Sequence, residues 1–261
     1  MTAQDVVTRI QQTLAAGGIA WRTPTVDTFK AGKPDTPVRG IATTGMATLD
    51  VLRRAAAARR NLIVTHEPTY YNHQDETTAL EHDTTYQAKL RFIEEQGLVV
   101  WRFHDHAHMM RPDPLVAGSA RTLGLAQFAS QTERGVYVVP ETTLRALAGD
   151  VARRLGAHAI RVSGDPEMKV TRISMGPGYG VPALTQAIDV AIGGEAPESG
   201  GHAEYALDAQ AFARPRGVIL LGHMMSEDWG MREIAEWLRA IVTDVSVEWI
   251  PAGEPFGAPR T

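Results

Sequence analysis

The sequence predicts an α/β fold, and three observations carry that prediction. Short, wholly apolar runs such as Leu62-Ile63-Val64 and Val218-Ile219-Leu220-Leu221 have the composition of strands buried on both faces of a parallel sheet. Between such runs lie segments whose apolar residues recur at the helical period of about 3.6. A chain of 261 residues can form one large domain of this class or two smaller ones.

The elements follow in order. A first helix is predicted over roughly Asp5 to Ala16, where Val6, Val7, Ile10 and Leu14 share one face before Gly17-Gly18 ends it. Thr23 to Thr36, with its Pro and Gly residues, reads as a loop. Val38 to Thr43 reads as a strand, Thr48 to Arg59 as a helix with Leu49, Leu52, Ala55 and Ala56 inward, and Leu62-Ile63-Val64 as the next strand, a βαβ beginning. A helix over about Thr84 to Gln96 and a strand over Leu98 to Phe103 come next. In the middle of the chain, helices are predicted over Pro114 to Leu123, Thr142 to Leu155, Val181 to Ile188 and His202 to Phe212. Strands are predicted there over Val136 to Val139, Ala159 to Val162, Val170 to Met175 and Val190 to Ile192. Val218 to Leu221 is a further buried strand, Asp228 to Ala240 a helix with Met231, Ile234, Trp237 and Leu238 inward, and Val245 to Ile250 a final strand.

Composition narrows the chemistry. Hydrophobic residues are 44% and charged residues 21%, as in an ordinary globular chain. The formal net charge of -4 gives no overall field for nucleic acid or an anionic membrane. Cysteine is absent, which excludes disulfide scaffolds, thiolate metal sites, iron-sulfur clusters and cysteine nucleophiles. No segment reads as a signal peptide or as the roughly 18 apolar residues a bilayer span requires. The sequence therefore predicts a cytoplasmic protein. Proton or metal chemistry falls to nine histidines and the carboxylates.

Three strand ends carry such groups. Leu62-Ile63-Val64 leads to His66-Glu67, with Tyr70, Tyr71, Asn72 and His73 beyond. The strand ending at Phe103 empties into His104-Asp105-His106-Ala107-His108. The Val218 strand leads to Gly222-His223, with Glu227 four residues on; Ser226 reads as the cap of the next helix, placing Glu227 and Asp228 in its first turn. Open α/β sheets bind ligands beyond the carboxyl ends of their strands. Imidazole with carboxylate suits zinc, iron, manganese, cobalt or nickel, and the groups suffice for two ions sharing a bridging anion. Glu67 reads as a ligand or as the base that activates water. Gly176-Pro177-Gly178-Tyr179-Gly180 lacks a Walker lysine and reads as a turn or a close approach of backbone. His202, with Glu195 and Glu204, reads as pocket lining or a solvated helix start, and Trp101, Trp229, Trp237 and Trp249 as core or interface anchors.

Taken together, these segments resemble the NIF-three-like dinuclear metal-centre family, also known as GTP cyclohydrolase I type-two-like. The resemblance rests on Ile41 to Arg60, Leu62 to His66, Leu98 to His108, Val170 to Gly178, Gly193-Gly194-Glu195 and, most specifically, Gly222-His223 with Glu227. It implies two α/β lobes with mixed or mainly parallel sheets and a metal site in the cleft at the strand ends. The lobes are expected at residues 1–104 completed by 222–261, and at 105–221. The implied metal ligands are His66, Glu67, His104, Asp105, His108, His223 and Glu227, holding two divalent transition-metal ions. The family's second histidine is replaced here by Glu67, and its bridging aspartate aligns with His108, so Glu67, Asp105 and His108 are alternative bridges. The implied activity is a metal-dependent hydrolase acting on a small or phosphorylated substrate through metal-activated water, with Glu67 or Asp105 moving the proton. A non-catalytic metal-handling oligomer is the competing reading. The short form of the family implies a toroidal homohexamer; the acidic balance argues against a nucleic-acid partner, and no membrane partner is expected.

Overall fold

A computed structural model describes residues 1–185, 187–199 and 201–257. The chain forms two compact units, each an α/β lobe. The first comprises Met1–Pro114 and Gly230–Ala252; the second comprises Leu115–Trp229 and the segment from Gly253.

The first lobe opens with α1 (Ala3–Ala16), started by a capping box in which Thr2 and Asp5 each accept the other's backbone N–H. Val6, Val7, Ile10 and Leu14 are buried, as their spacing requires. Its sheet holds β1 (Phe29–Ala31), β2 (Ile41–Thr44), β3 (Leu62–Thr65), β4 (Val99–Arg102) and β10 (Val247–Trp249) in the order β1-β4-β3-β2-β10. All pairings are parallel except β1 on β4. Helices α2 (Leu49–Ala57) and α3 (Thr84–Glu95) start at the side-chain caps Thr48 and Asp83. Val51, Leu52, Ala55 and Ile93 pack on Ala42, Ile63 and Val100 of the sheet.

Two expectations change in this lobe. Residues 23–36 are not all loop, since Phe29–Ala31 forms the antiparallel edge strand β1. Strand β2 starts at Ile41 and not at Val38, because the amides of Val38 and Arg39 donate to Met1 O and to the Asn61 side chain.

The second lobe builds a sheet in the order β5-β7-β8-β9-β6 from β5 (Val136–Thr143), β6 (Arg161–Ser163), β7 (Lys169–Gly176), β8 (Val190–Gly193) and β9 (Gly217–Leu220). The three central strands are parallel and the two edges antiparallel. Helix α6 (Leu144–Leu155), capped by Thr143 and closed by left-handed Gly156, packs Leu144, Leu147 and Val151 against Val170, Ile173 and Ile192. Helices α5 (Pro114–Thr122) and α7 (His202–Ala211) fall close to their predicted spans.

Strand β5 runs on through Pro140, which an edge strand tolerates at the register shift between Val138 and Thr142. Of the helix predicted over 181–188, residues 181–185 have no regular structure and residue 186 lies outside the described residues. The last helix, α8 (His223–Ile241), starts five residues earlier than its apolar stripe predicts. Among the described residues no helix is long and apolar enough to cross a membrane.

Candidate metal centre

In the first lobe, parallel pairing of β3 and β4 brings Thr65 opposite Arg102, so the two strands end side by side. The next residues, His66 and then Phe103 and His104, leave the sheet at the same edge. His104 stands at the N-cap position of a short helix, α4 (Asp105–Met109). One helical turn therefore separates His104 from His108 and puts both on one face. The His66 and His104 rings stack at 4.6 Å, and His108 meets their edges at 5.0 and 5.1 Å. One ring nitrogen from each of the three lies within 4.8 Å of the other two.

What holds the rings sets their chemistry. His66 Nδ1 pairs with Phe103 O at 3.2 Å, His104 Nδ1 with Asp105 Oδ1 at 3.0 Å and His108 Nδ1 with Asp113 Oδ2 at 3.0 Å. An oxygen partner at Nδ1 makes that nitrogen the N–H and leaves Nε2 with the lone pair a metal needs. Burial drives the His66 pKa well below the ordinary histidine value, and the neighbouring His104 and His108 oppose a further positive charge. Burial also lowers His104. Both are thus held neutral, the ligating form.

Glu67 completes the group. Its Oε1 lies 3.9 Å from both His66 Nε2 and His104 Nε2, and its Oε2 lies 3.7 Å from Arg102 Nη2. Arg102 is fully buried, donates from Nε to His66 O at 3.0 Å and from Nη1 to His73 O at 2.5 Å, and lies 3.7 Å from Asp75. Asp105 has both oxygens engaged: Oδ1 by His104, and Oδ2 by the Thr25 hydroxyl and the Val26 amide. Burial alone would raise its pKa, but hydrogen bonds from His104, Thr25 and Val26 outweigh it and bring it down to about 2. Of the neighbouring loop, Tyr70 packs edge-on to Tyr86, Asn72 donates to Tyr70 O and Glu76 O, and Tyr71 is exposed.

In the second lobe, the parallel strands β7, β8 and β9 end at the Gly176–Gly180 turn, at Gly193-Gly194-Glu195 and at Gly222-His223. His223 Nδ1 pairs with Glu195 Oε1 at 3.0 Å, and Nε2 lies 3.0 Å from Glu227 Oε2. Because α8 starts at His223, Ser226 is no N-cap and Glu227 stands one turn above His223. The Ser226 hydroxyl instead accepts from Gly178 N at 2.9 Å and donates to His223 O at 2.6 Å. Gly178 has φ +65°, and a Cβ there would stand 2.2 Å from Glu227 Oε1. A Cβ on Gly194 would stand 2.3 Å from Gly178 O and 2.6 Å from Ser226 Oγ. The glycines are where backbone closes on the His-Glu pair.

The first-lobe histidines fit a divalent transition metal. Bonds of about 2.1 Å separate neighbouring ligand atoms by roughly 3.0–3.4 Å and opposite ones by up to ~4.2 Å. The His66, His104 and His108 nitrogens, within 4.8 Å of one another, come near that range, whereas His223 and Glu227, 3.0 Å apart, supply two donors. Imidazole and carboxylate without thiolate are the donors of zinc, iron, manganese, cobalt and nickel.

Sequence reasoning missed Asp27, Arg102 and Asp113. Arg102 left a readable signal, a lone cation between Trp101 and Phe103 in a buried strand. Asp27 and Asp113 sit in irregular segments without periodicity and left none.

Comparison with known proteins follows the same geometry. The chain superimposes on the Staphylococcus aureus protein SA1388 with a TM-score of 0.75 at 18% identity, covering 99% of each chain. A Bacillus cereus protein related to NIF3 gives 0.72 at 13% identity over 98% of each chain. The protein TTHA1606 from Thermus thermophilus gives 0.64 at 18% identity, over 99% of this chain and 100% of its own. These likenesses establish a shared fold. A comparison with curated proteins finds no significant match. The family profile described as Duf34/NIF3 (NGG1p interacting factor 3) matches residues 25–254, and the chain is a member of that family.

Proposed function

We propose that the protein is a divalent-metal-dependent hydrolase of a small or phosphorylated substrate, with His66, Glu67, His104 and His108 as ligands in the first lobe and His223 and Glu227 in the second. The observation that carries the reading is that His66, His104 and His108 each have Nδ1 engaged by an oxygen while one nitrogen from each ring lies within 4.8 Å of the others, with Glu67 Oε1 3.9 Å from His66 and His104. A divalent ion, when bound, supplies Lewis acidity that lowers the pKa of water and stabilises developing negative charge. Glu67 Oε1 faces the histidines and can accept a proton there, while Arg102 Nη2 stands 3.7 Å from Oε2. Asp105 and Asp113 orient His104 and His108 from behind. In this reading Asp105 acts on a ligand and is not itself the bridge.

The test is metal-to-protein stoichiometry by elemental analysis of native protein, His108→Ala and His223→Ala. About two transition-metal ions per chain, reduced by both substitutions, supports the reading; no bound metal after reconstitution overturns it. Glu67→Gln then separates roles: metal retained with turnover lost marks a base, and metal lost marks a ligand. Stoichiometric metal without turnover across a panel of phosphate and carboxylate esters moves the assignment to a metal-handling oligomer. The toroidal hexamer belongs to the same proposal and is tested by sedimentation.

A further inference from the structure

The helix that follows His104 and carries His108 is only five residues long, too short to hold its own shape. Its N-terminus is held from elsewhere in the lobe by Asp27, whose side chain is fully buried. Asp27 Oδ1 accepts the amides of His104 and Asp105 at 2.7 and 2.9 Å, and Oδ2 accepts the amide of His106 at 2.9 Å and its Nδ1 at 2.7 Å. Four donors from three consecutive residues thus converge on one carboxylate. The Asp27 backbone is fixed in turn by its amide donating to the Thr25 hydroxyl, which donates to Asp105.

We propose that Asp27 is a positioning residue that presets His104 and His108 for metal. The proposal rests on the ligand assignment above. Asp27 touches neither ring, and acts by clamping the first turn of α4 so that the two imidazoles stand on one face before an ion arrives. The amides of His104 and Asp105, bound by Oδ1, fix the turn itself, whereas the Oδ2 bonds fix His106.

Cobalt titration followed by its visible d–d absorption tests this, with His108→Ala as the site control. Asp27→Ala is expected to weaken cobalt binding by about 10- to 100-fold and to alter the band. Asp27→Asn keeps an oxygen for the His104 and Asp105 amides but sets an amide nitrogen against the two His106 donors, and is expected to recover part of the affinity. A merely structural Asp27 would lower the melting temperature in both variants and leave affinity and band of the folded protein unchanged, overturning the proposal. Hydrogen exchange on metal-free wild-type protein gives a reading independent of variant folding. Amides of His104, Asp105 and His106 protected before cobalt is added support preorganisation; protection only after cobalt overturns it. Wild-type protein lacking a His108-dependent cobalt band overturns the ligand assignment, and this proposal with it. A normal wild-type band unaffected by Asp27→Ala overturns the positioning role alone.

Discussion

His106 lies flat on Trp21, with ring centroids 3.7 Å apart and planes 4° from parallel. Its Nδ1 faces Asp27 at 2.7 Å and its Nε2 accepts the Arg22 amide at 2.9 Å, so both ring nitrogens are engaged away from the face that carries His104 and His108. The middle histidine of His104-Asp105-His106-Ala107-His108 is therefore a strut, and the two flanking it are candidate ligands.

This division predicts opposite phenotypes two residues apart. His106→Ala removes a buried stack and two hydrogen bonds, and should destabilise the first lobe by about 2–4 kcal/mol in urea unfolding while leaving metal content intact. His108→Ala, at a half-buried position, should cost less than about 1 kcal/mol and lower metal content. Metal loss in His106→Ala at temperatures where the protein is folded would refute the division.

Gly178→Ala should damage the second-lobe group. The new Cβ would stand 2.2 Å from Glu227 Oε1 on a backbone at φ +65°, so Glu227 must move and the turn is strained. A loss of about 1–3 kcal/mol is expected, together with reduced metal retention. Gly97→Ala serves as the control: its φ is +58°, but nothing lies within 4 Å of the added atom. It should show the backbone cost without metal loss.

Much of this was legible in the sequence, for identifiable reasons. Runs such as Leu62-Ile63-Val64 and Val218-Ile219-Leu220 have one physical use, a strand buried on both faces, and β3 and β9 lie there. The stripe Val6, Val7, Ile10 and Leu14 gave α1 for the same reason. Strand β1 was hidden because Phe29-Lys30-Ala31 is too short for periodicity and lies between Pro24 and Pro34; only pairing with β4 makes it a strand. The start of α8 was misplaced because His223 to Glu227 interrupt the apolar stripe with polar groups the sheet edge calls for. The histidine clusters were visible as composition, but their division into candidate ligands and a strut depends on α4, whose first amides donate to Asp27 from nearly eighty residues away.

Arg102 predicts a large stability effect without direct contact with an ion. It is buried among His66 O, His73 O, Glu67 and Asp75, and Arg102→Met would leave two carboxylates without that cation. Removing one partner of a buried charge network costs about 3–5 kcal/mol. Arg102→Lys should recover little, because one ammonium cannot span the guanidinium's separate partners. Urea midpoints of the two variants within experimental error of wild type would sink the claim that this network holds Glu67.

Lys89 gives the fold a pH signature of its own. It is buried beneath the loop that follows Glu67, donates from Nζ to Thr69 O at 2.5 Å, and lies over the Tyr70 and Tyr71 rings at 5.7 and 5.4 Å. Burial lowers its pKa from 10.5 to about 8, and Asp75 opposes that shift only in part. Between pH 8 and 10 the unfolded chain therefore holds a proton at this position that the folded chain has released, and stability rises with pH wherever the unfolded state binds more protons. The window closes near pH 10, where Tyr70, whose pKa burial raises, keeps its proton in the folded chain while an unfolded tyrosine loses it, reversing the slope. Urea unfolding from pH 7 to pH 10 should show a gain of order 2 kcal/mol attributable to Lys89. Lys89→Met, which keeps the aliphatic stem and removes the titration, should flatten that rise and be more stable relative to wild type at pH 7 than at pH 10. An undiminished slope in the variant would assign the titration to another group.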